Sequence, residues 1–573
     1  MGIHHFFYWL RKTYPQHLTP ITQGTILNKG ITTLLLDMNG IFHNAAQKVY
    51  QYGDYKPTRL FSNTNPKVES AGAKERRVFK QVCFTIESLV KISNPTERLI
   101  LCIDGPAPLA KQCQQRSRRY KSVKGMTEND TMEFNPNCIT PGTVFLDRLS
   151  SYIDWFIRKK MTEDSVWGNL DIIFSNEKHA GEGEHKAVEY VRKFARKDEI
   201  FCINGMDADL IMLTMATHHD NFYILRDNTY DTGIAYHLID IYTLKIDIIN
   251  CIEWSSTLHE FNRKNAVNDF VYFMFLCGND FLPHIPSIEI IEAGIEKIIE
   301  VYKEVCTEYG HLTTNVNGSN RICLQTLCKF FEKIGEYEKE LFEAKLNNTR
   351  STFFPDEYLN SSSVNDKDEG WIVDIEKYRN GYKQKYFSTT DDTIETICHK
   401  YIEGTQWVLT YYTQGVPCWK WLYPYHYAPP ASLLAQFTLS YQFVKYCKSF
   451  PSKPYQQLLC VLPPKSSELL PQPMRRLLTD KNSEIKQFCP DDFEIDYSGK
   501  RKEYQGIPIL PLVDFNKIIT VHDKVEPTLE NKDKRRNMLN YPCRYRKTLL
   551  PYLFSSFYGD IQQCRVQPSR FDL

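Results

Sequence analysis

The sequence predicts an α/β fold, a parallel sheet with flanking helices, joined to a mixed and aromatic-rich second region. Three observations predict it. Four short branched-aliphatic runs each end in an acid or lead into a glycine-containing turn that carries acids. Helical patterns follow at least three of these runs. Beyond residue 370 the alternation gives way to a stretch rich in Tyr, Trp and Pro. Short continuous apolar runs read as strands buried on both faces, and strands alternating with helices make parallel sheets.

The runs, in order, are Thr33-Leu-Leu-Leu-Asp37, Leu99-Ile-Leu-Cys-Ile-Asp104, Asp171-Ile-Ile-Phe174 before Gly181-Glu-Gly-Glu-His185, and Ile200-Phe-Cys-Ile203 before Asp207-Ala-Asp209. Polar interruptions at residues 53–74 and 122–133 read as surface loops. Good helix formers over residues 109–120 predict a helix after the turn Asp104-Gly-Pro-Ala-Pro108. Residues 266–277 predict a buried helix ending at Gly278-Asn-Asp280, and apolar spacing over 288–309 predicts another. Residues 347–370 are polar and loop-like. The expected organisation is a first region, 1–346, carrying the acidic strand ends, a linker, 347–370, and a second region, 371–573, that completes the pocket.

Asp37, Asp104, Glu182, Glu184, Asp207 and Asp209 therefore fall at carboxyl ends of strands, where open α/β sheets place ligands. Any one of them can be a helix cap or a solvated turn acid, and Glu184 and Asp209 suit a helix dipole. That account does not predict two i, i+2 doublets in glycine-rich elbows beside two further strand-end acids. Like charges gathered in one crevice repel unless cations neutralise them, and Mg²⁺ and Mn²⁺ are the oxygen-seeking candidates. The pattern predicts a metal-dependent phosphoryl-transfer site.

On the helix at 109–120, Lys111, Gln115 and Arg118 share one face, with Arg119 at its margin. Between Lys111 and Lys124 lie six basic residues and no acid, where a solvated face would mix signs. Arginine forks, a lysine charge and a glutamine amide suit phosphate, and Asp104 opens this same segment, so the phosphate pocket should adjoin the metals. His43 reads either as a satisfied core histidine or as a base-stacking ring, and spacing alone does not choose. The aromatics at 419, 421, 423, 425 and 427 read either as a strand face packed in a core or as a stacking platform.

With 573 residues, 24% charged residues and a net charge of +1, the chain carries no global polyelectrolyte signal, so nucleic-acid binding needs a local patch. Seventeen dispersed cysteines without a CxxC pair point to reduced thiols in the cytosol or nucleus and exclude a disulfide framework. Neither a signal leader nor a membrane-spanning stretch is present, so a membrane role is not expected.

These motifs resemble the XRN family of 5′→3′ exoribonucleases, relatives of the flap-endonuclease and PIN-like nucleases. The resemblance rests on Met1-Gly with Phe6-Phe7 and Trp9, then Leu36-Asp-Met-Asn-Gly-Ile-Phe-His-Asn44, and Asp104-Gly-Pro-Ala-Pro with Gln114-Gln-Arg-Ser-Arg-Arg119. It continues through Asn137-Cys-Ile-Thr-Pro-Gly-Thr143, Gly181-Glu-Gly-Glu-His-Lys186, Gly205-Met-Asp-Ala-Asp-Leu-Ile-Met-Leu213 and Gly278-Asn-Asp-Phe-Leu-Pro-His284. In the second region Tyr401-Ile-Glu-Gly, Trp407-Val-Leu, Tyr411-Tyr, Tyr425-His-Tyr-Ala-Pro429, Val461-Leu-Pro-Pro464 and Gln505-Gly506 match as well.

The resemblance implies a PIN/flap-endonuclease-like fold and a processive enzyme that hydrolyses 5′-monophosphorylated single-stranded RNA to nucleoside 5′-monophosphates. It implies two Mg²⁺ ions, with Mn²⁺ as a substitute, bound by Asp37, Asp104, Glu182, Glu184, Asp207, Asp209 and also Asp280. It maps Lys111, Gln115, Arg118 and Arg119 onto a 5′-phosphate pocket, His43 onto a base-stacking histidine, and one of Trp419 and Trp421 onto a tryptophan that stacks on the same base. The residues after Met1-Gly depart from the family, the segment between Glu182 and Asp207 lacks zinc-knuckle cysteines, and nothing follows the second region, as in a minimal catalytic core. A monomer in the cytoplasm is expected, with the nucleus left open by Lys532-Asp-Lys-Arg-Arg536. Two rivals remain: a flap-type DNA nuclease, opposed by the basic helix and the second-region motifs, and a catalytically silent RNA-binding adaptor, opposed by seven intact acids.

Overall fold

Each of the four aliphatic runs becomes a central strand of one nine-stranded sheet. The structure, a computed structural model, describes residues 3, 5–53, 70–124, 133–228, 232–290, 294–348, 354–366, 368, 370–388 and 390–573. The strands are β1 Leu18–Ile21, β2 Thr33–Asp37, β3 Arg98–Cys102, β4 Asp171–Ser175, β5 Phe201–Asn204, β6 Phe222–Asp227 and β7 Tyr236–Asp240. Their order is β1-β7-β6-β5-β2-β3-β4, extended beyond β4 by the hairpin strands Cys543–Phe554 and Ile561–Arg570. Pairings β2–β3, β2–β5, β3–β4 and β5–β6 are parallel, and the edges are antiparallel.

Alternation along the strands feeds two cores. Leu35, Ile100, Ile173 and Ile203 enter one face; Leu34, Leu36, Leu99, Leu101 and Ile172 enter the other. All are essentially water-free, and each contributes about 1.5–3 kcal/mol of burial. Helix α1 Phe6–Thr13 precedes β1, and the helices between the strands are α2 Met38–Tyr50, α3 Ala71–Ser93, α4 Leu109–Val123, α5 Val144–Glu163, α6 Ser165–Asn169, α7 Gly183–Phe194 and α8 Asp209–Met215. Every parallel connection passes through at least one of them.

The second region is not a separate layer. Helix Ile394–Gln414 buries Tyr401, Trp407, Tyr411 and Tyr412 in the same core as Leu35 of β2, and helix Pro454–Val461 lies against α4. Arg116 of α4 donates to the backbone carbonyls of Cys460 and Phe488, Lys121 to those of Tyr504 and Gly506, and Lys124 pairs with Asp492. Half of the basic run on α4 thus anchors the second region instead of facing a ligand.

Several expected boundaries move. The loop expected at 53–74 gives way to helix α3 at Ala71, because Ser70 caps it by accepting from the Ala73 amide; residues 54–69 lie outside the described ones. Helix α4 runs to Val123, past the expected start of the next loop, of which 125–132 lie outside the described residues. The helix expected from 288 starts at Gly294, since residues 288–290 form no α-helix and 291–293 lie outside the described ones. Within the polar stretch 347–370, helix Glu357–Ser361 and strand Ser363–Asp366 form, the strand pairing with Gly370–Val373. The aromatic segment Pro417–Tyr427 forms no strand; its backbone is irregular because prolines and turns interrupt it. All seventeen cysteines are free thiols. Among the described residues no helix is long and apolar enough to cross a membrane.

Candidate functional site

The strand register sets the acids side by side. Asp37 closes β2, opposite Cys102 of β3, and Leu36 pairs with Asn204 of β5, three residues before Asp207. Asp37 is also the N-cap of α2, accepting from the Asn39 amide at 3.4 Å, so a helix cap and a place among the acids coincide in one residue. Asn39 then ties the next strand in: its side-chain amide donates to Asp104 Oδ2 at 2.8 Å and its Oδ1 accepts from the Asp104 amide at 3.1 Å. The Gly183 amide donates to Asp104 Oδ1 at 2.6 Å. Only glycine fits there, because a Cβ on residue 183 would stand 2.7 Å from Asp37 Oδ1 and 2.9 Å from the Cys102 carbonyl.

Helices α7 and α8 carry the two doublets. Glu182 precedes α7 and Glu184 sits in its first turn; Asp209 opens α8. Oxygens of Glu184, Asp207 and Asp209 lie within 4.8 Å of one another. Glu184 Oε2 and Asp209 Oδ1 are buried without a hydrogen-bond partner. Buried carboxylate oxygens left without donors are costly, and converging oxygens of this kind fit a hard divalent cation.

Lys111 joins the basic helix to the acids. Its Nζ stands 2.5 Å from Glu182 Oε2 and 2.6 Å from Asp280 Oδ2. Asp280, on the turn after helix Arg263–Phe275, is thereby drawn into the same cluster. The charges respond accordingly. Burial, together with Asp104 and Asp207, pushes Asp37 well above the usual carboxylate range. Burial also raises Asp104 and Glu182, and burial with Asp209 raises Glu184 far more. Asp209 is pushed up to about 7 by burial, Asp207 and Asp280. Burial would raise Asp280 too, but the Lys111 ammonium outweighs it and holds the group at about 2. Five of the seven acids are thus raised by burial and by one another, crowding that a divalent cation would relieve.

The other predicted phosphate ligands flank this crevice. Gln115 is held by Gln457, whose Nε2 donates to its Oε1 at 3.4 Å. Arg119 donates Nη2 to Thr140 Oγ1 at 2.8 Å, while its Nη1 is buried with no partner. Burial and neighbouring Arg118 lower the Arg119 guanidinium to about 9, so an anion beside it would be stabilised. Arg118 lies within electrostatic reach of Asp280, Asp207 and Asp104. His43 stands beside this pair: burial, Arg118 and Arg119 lower its ring to about 4, leaving a neutral imidazole.

The tryptophans separate. Trp421 is buried and stacks on Trp407, ring centres 5.0 Å apart at 21°. Trp419 is partly exposed, lines a cavity with Gly181 and Tyr411, and accepts from the Leu109 amide at the start of α4 at 2.9 Å. Sequence reasoning missed two tyrosines. Tyr411 donates to Glu182 Oε1 at 2.8 Å and Tyr412 to Asp209 Oδ2 at 3.0 Å. Their adjacent positions in a motif of the second region were the available signal, but nothing local ties them to acids more than two hundred residues earlier. His185 completes the layer, stacked on Tyr411 at 3.8 Å and 3°.

The family model described as XRN 5′–3′ exonuclease N-terminus matches residues 1–228, and the one described as Xrn1 helical domain matches 260–370 and 355–545. The chain is 27% identical to human (Homo sapiens) 5′–3′ exoribonuclease 1 over 94% of its own length and 35% of that protein's. It is 27% identical to chicken (Gallus gallus) 5′–3′ exoribonuclease 2 over 94% of its length and 71% of the relative's. It therefore spans about a third of the first relative and about seven-tenths of the second. The solved catalytic core of Rad2 in complex with DNA overlaps 77% of this chain and 99% of that one, at a TM-score of 0.31 and 11% identity, too slight a likeness to carry an argument.

Proposed function

This chain belongs to the XRN family of 5′–3′ exonucleases, and from that premise we propose that it is a processive 5′→3′ exoribonuclease acting on single-stranded RNA with a 5′-monophosphate. The observation that carries the reading is Lys111, which stands on the basic helix and touches Glu182 and Asp280 at once, so anion-binding and cation-binding groups share one pocket. Asp37, Asp104, Glu182, Glu184, Asp207, Asp209 and Asp280 would hold two divalent cations, Mg²⁺ or Mn²⁺, which supply an activated water and neutralise charge on the leaving 3′-oxygen.

The protein's own groups do the positioning. Lys111, Gln115, Arg118 and Arg119 bind the terminal phosphate, with the unpartnered Arg119 Nη1 as a ready donor. His43 is neutral and beside the arginines, suited to stack on the first base. Trp419 is the better candidate for the opposing ring, because Trp421 is already occupied with Trp407. Tyr411 and Tyr412 fix Glu182 and Asp209 through their hydroxyls. Each cycle releases one nucleoside 5′-monophosphate and exposes a new 5′-phosphate. The orphaned acid oxygens favour catalysis over a silent adaptor.

The nuclease region 1–346, the connector 347–370 and the second region 371–573 form one catalytic unit in this reading, acting as a monomer in the cytoplasm, where free thiols persist. The test is a time course on 5′-labelled RNA with Mg²⁺. The labelled product expected from the first time point is a mononucleotide; labelled oligonucleotides of intermediate length would mean internal cutting and overturn the proposal.

A further inference from the structure

A cavity of about 740 Å³ opens between α2, α3 and the β6–β7 connection, on the opposite side of α2 from His43. Its size is in the range of ligand sites, roughly 300–1,000 Å³. It begins at Met206, the residue before Asp207, where the Asn44 side chain contacts the Met206 sulfur at 3.7 Å. Asp227, at the carboxyl end of β6, lines it as well, so it lies along the same sheet edge as the acids, one strand further on.

Its walls set polar side chains among apolar ones such as Ile41, Ile92 and Ile234. Gln81, Thr85 and Ser88 of α3 stand at i, i+4 and i+7 and face the cavity with Lys91. Across from them α2 presents Asn44 and Lys48 at i, i+4. Phe84, on the same face of α3, is 60% exposed. Among its described walls the one carboxyl is Asp227, which burial raises above its usual range. The Thr85 and Ser88 hydroxyls donate back to the Gln81 and Phe84 carbonyls, which leaves two lysines, side-chain amides and an open aromatic ring as the parts of a sequence-tolerant single-strand site: charge for the backbone, a ring for a base.

We propose that this cavity binds the RNA strand 3′ of the nucleotide being removed, and so holds the substrate between successive cuts. The proposal rests on the exoribonuclease reading. A site confined to the terminal phosphate and first base would release the strand after each cut, whereas a second site along the same sheet edge, reached past Met206, would keep the remainder attached.

The test compares lengths. Wild type and the Lys48→Glu/Lys91→Glu double variant are given 5′-phosphorylated RNA of about three and about twelve nucleotides, with affinity measured in EDTA across a salt series and hydrolysis measured in Mg²⁺. The variant is expected to bind the long RNA about tenfold more weakly, with a salt slope smaller by about 1.4, since each of the two single-strand phosphate contacts contributes about 0.7. Its hydrolysis of the short RNA should equal that of wild type. A 5-iodouridine at the fourth nucleotide should crosslink to Phe84 and lose that crosslink in Phe84→Ala. Unchanged long-RNA affinity and slope, or equal losses on both lengths, would overturn the groove, and a crosslink mapped outside the cavity would do the same. Absence of hydrolysis by wild type would instead defeat the exoribonuclease reading, leaving the binding comparison to judge the groove separately.

Discussion

The Tyr411 hydroxyl donates to Glu182 Oε1 at 2.8 Å across 229 residues of sequence. Helix Ile394–Gln414 thus reaches through the core to position an acid on the turn before α7, while His185 of α7 stacks back on the same tyrosine. Burial and Glu182 raise the Tyr411 hydroxyl far above its usual pKa, so it is a donor at every working pH. Tyr411→Phe keeps the ring stack and removes one hydrogen bond to a charged group, an interaction of about 1.5–3 kcal/mol. The expected result is a protein that still folds but is less stable by about 1.5–3 kcal/mol, with hydrolysis slowed about tenfold or more. Circular dichroism melting and a single-turnover rate check both halves.

Asp207 and Asp209 are the most direct test of the acidic crevice. Asp207→Ala with Asp209→Ala should abolish hydrolysis while RNA binding and the fold persist. Relief of like-charge repulsion should leave the metal-free protein equally stable or more so. Full hydrolysis in the double variant, still dependent on Mg²⁺, would contradict the assignment.

Asp209 predicts how stability depends on pH. Its carboxyl is pushed up to about 7 in the fold, from an ordinary 3.8, by burial and by Asp207 and Asp280. The folded state therefore holds more protons than the unfolded chain between those values, and the metal-free protein loses stability as pH rises from about 4 to about 7. Asp37, Glu182 and Glu184 act in the same direction; Asp280, held at about 2 despite its burial by the Lys111 ammonium, acts in the opposite one. Added Mg²⁺ or Mn²⁺ should restore the loss, so the melting-temperature difference with and without cation should widen from pH 5 to pH 8. In Asp209→Asn the pH-dependent fall of the metal-free protein should shrink. A gap independent of pH would count against a cation at these carboxylates.

The two tryptophans should behave differently. Trp421 is buried against Trp407, so Trp421→Ala leaves a cavity and should cost about 3–5 kcal/mol of stability. Trp419 is partly exposed, so Trp419→Ala should fold normally and shorten the number of nucleotides removed per encounter. Denaturant melts and a trap-chase processivity assay separate the outcomes. Equal destabilisation by both would return Trp419 to the core.

How much of this was legible in the sequence follows from range. The four strands were, because aliphatic runs such as Thr33–Asp37 must be buried on both faces and thus carry their own signature. The gathering of six acids was, because they recur at strand ends; Asp280 was not, since it joins them only through Lys111 in the finished fold. Helix α4 was legible, but the roles along it were not: Arg116, Lys121 and Lys124 bind the second region, and only packing reveals which cations remain for a ligand. The aromatic segment at 417–427 has the period of a strand yet adopts none, since a pattern of side chains does not supply a backbone partner. Trp419 and Trp421 differ by two residues and a stacking neighbour that lies fourteen residues before Trp421, a distinction no local rule contains. Tyr411 and Tyr412 are contacts of the finished fold.

In the proposed function the cationic face of α4 reads a 5′-phosphate beside the acids. One RNA sequence, 3′-labelled and carrying a 5′-monophosphate, triphosphate or hydroxyl, measures it directly under identical Mg²⁺ and salt. Lys111, Gln115, Arg118 and Arg119 have donors for a single phosphate, and a hydroxyl end forfeits charge-assisted bonds of about 1.5–3 kcal/mol each. The monophosphate RNA should be degraded at least about tenfold faster than either alternative, and Arg118→Ala should narrow that ratio more than it weakens overall RNA affinity. Equal rates on all three ends in the unmutated protein would contradict the account.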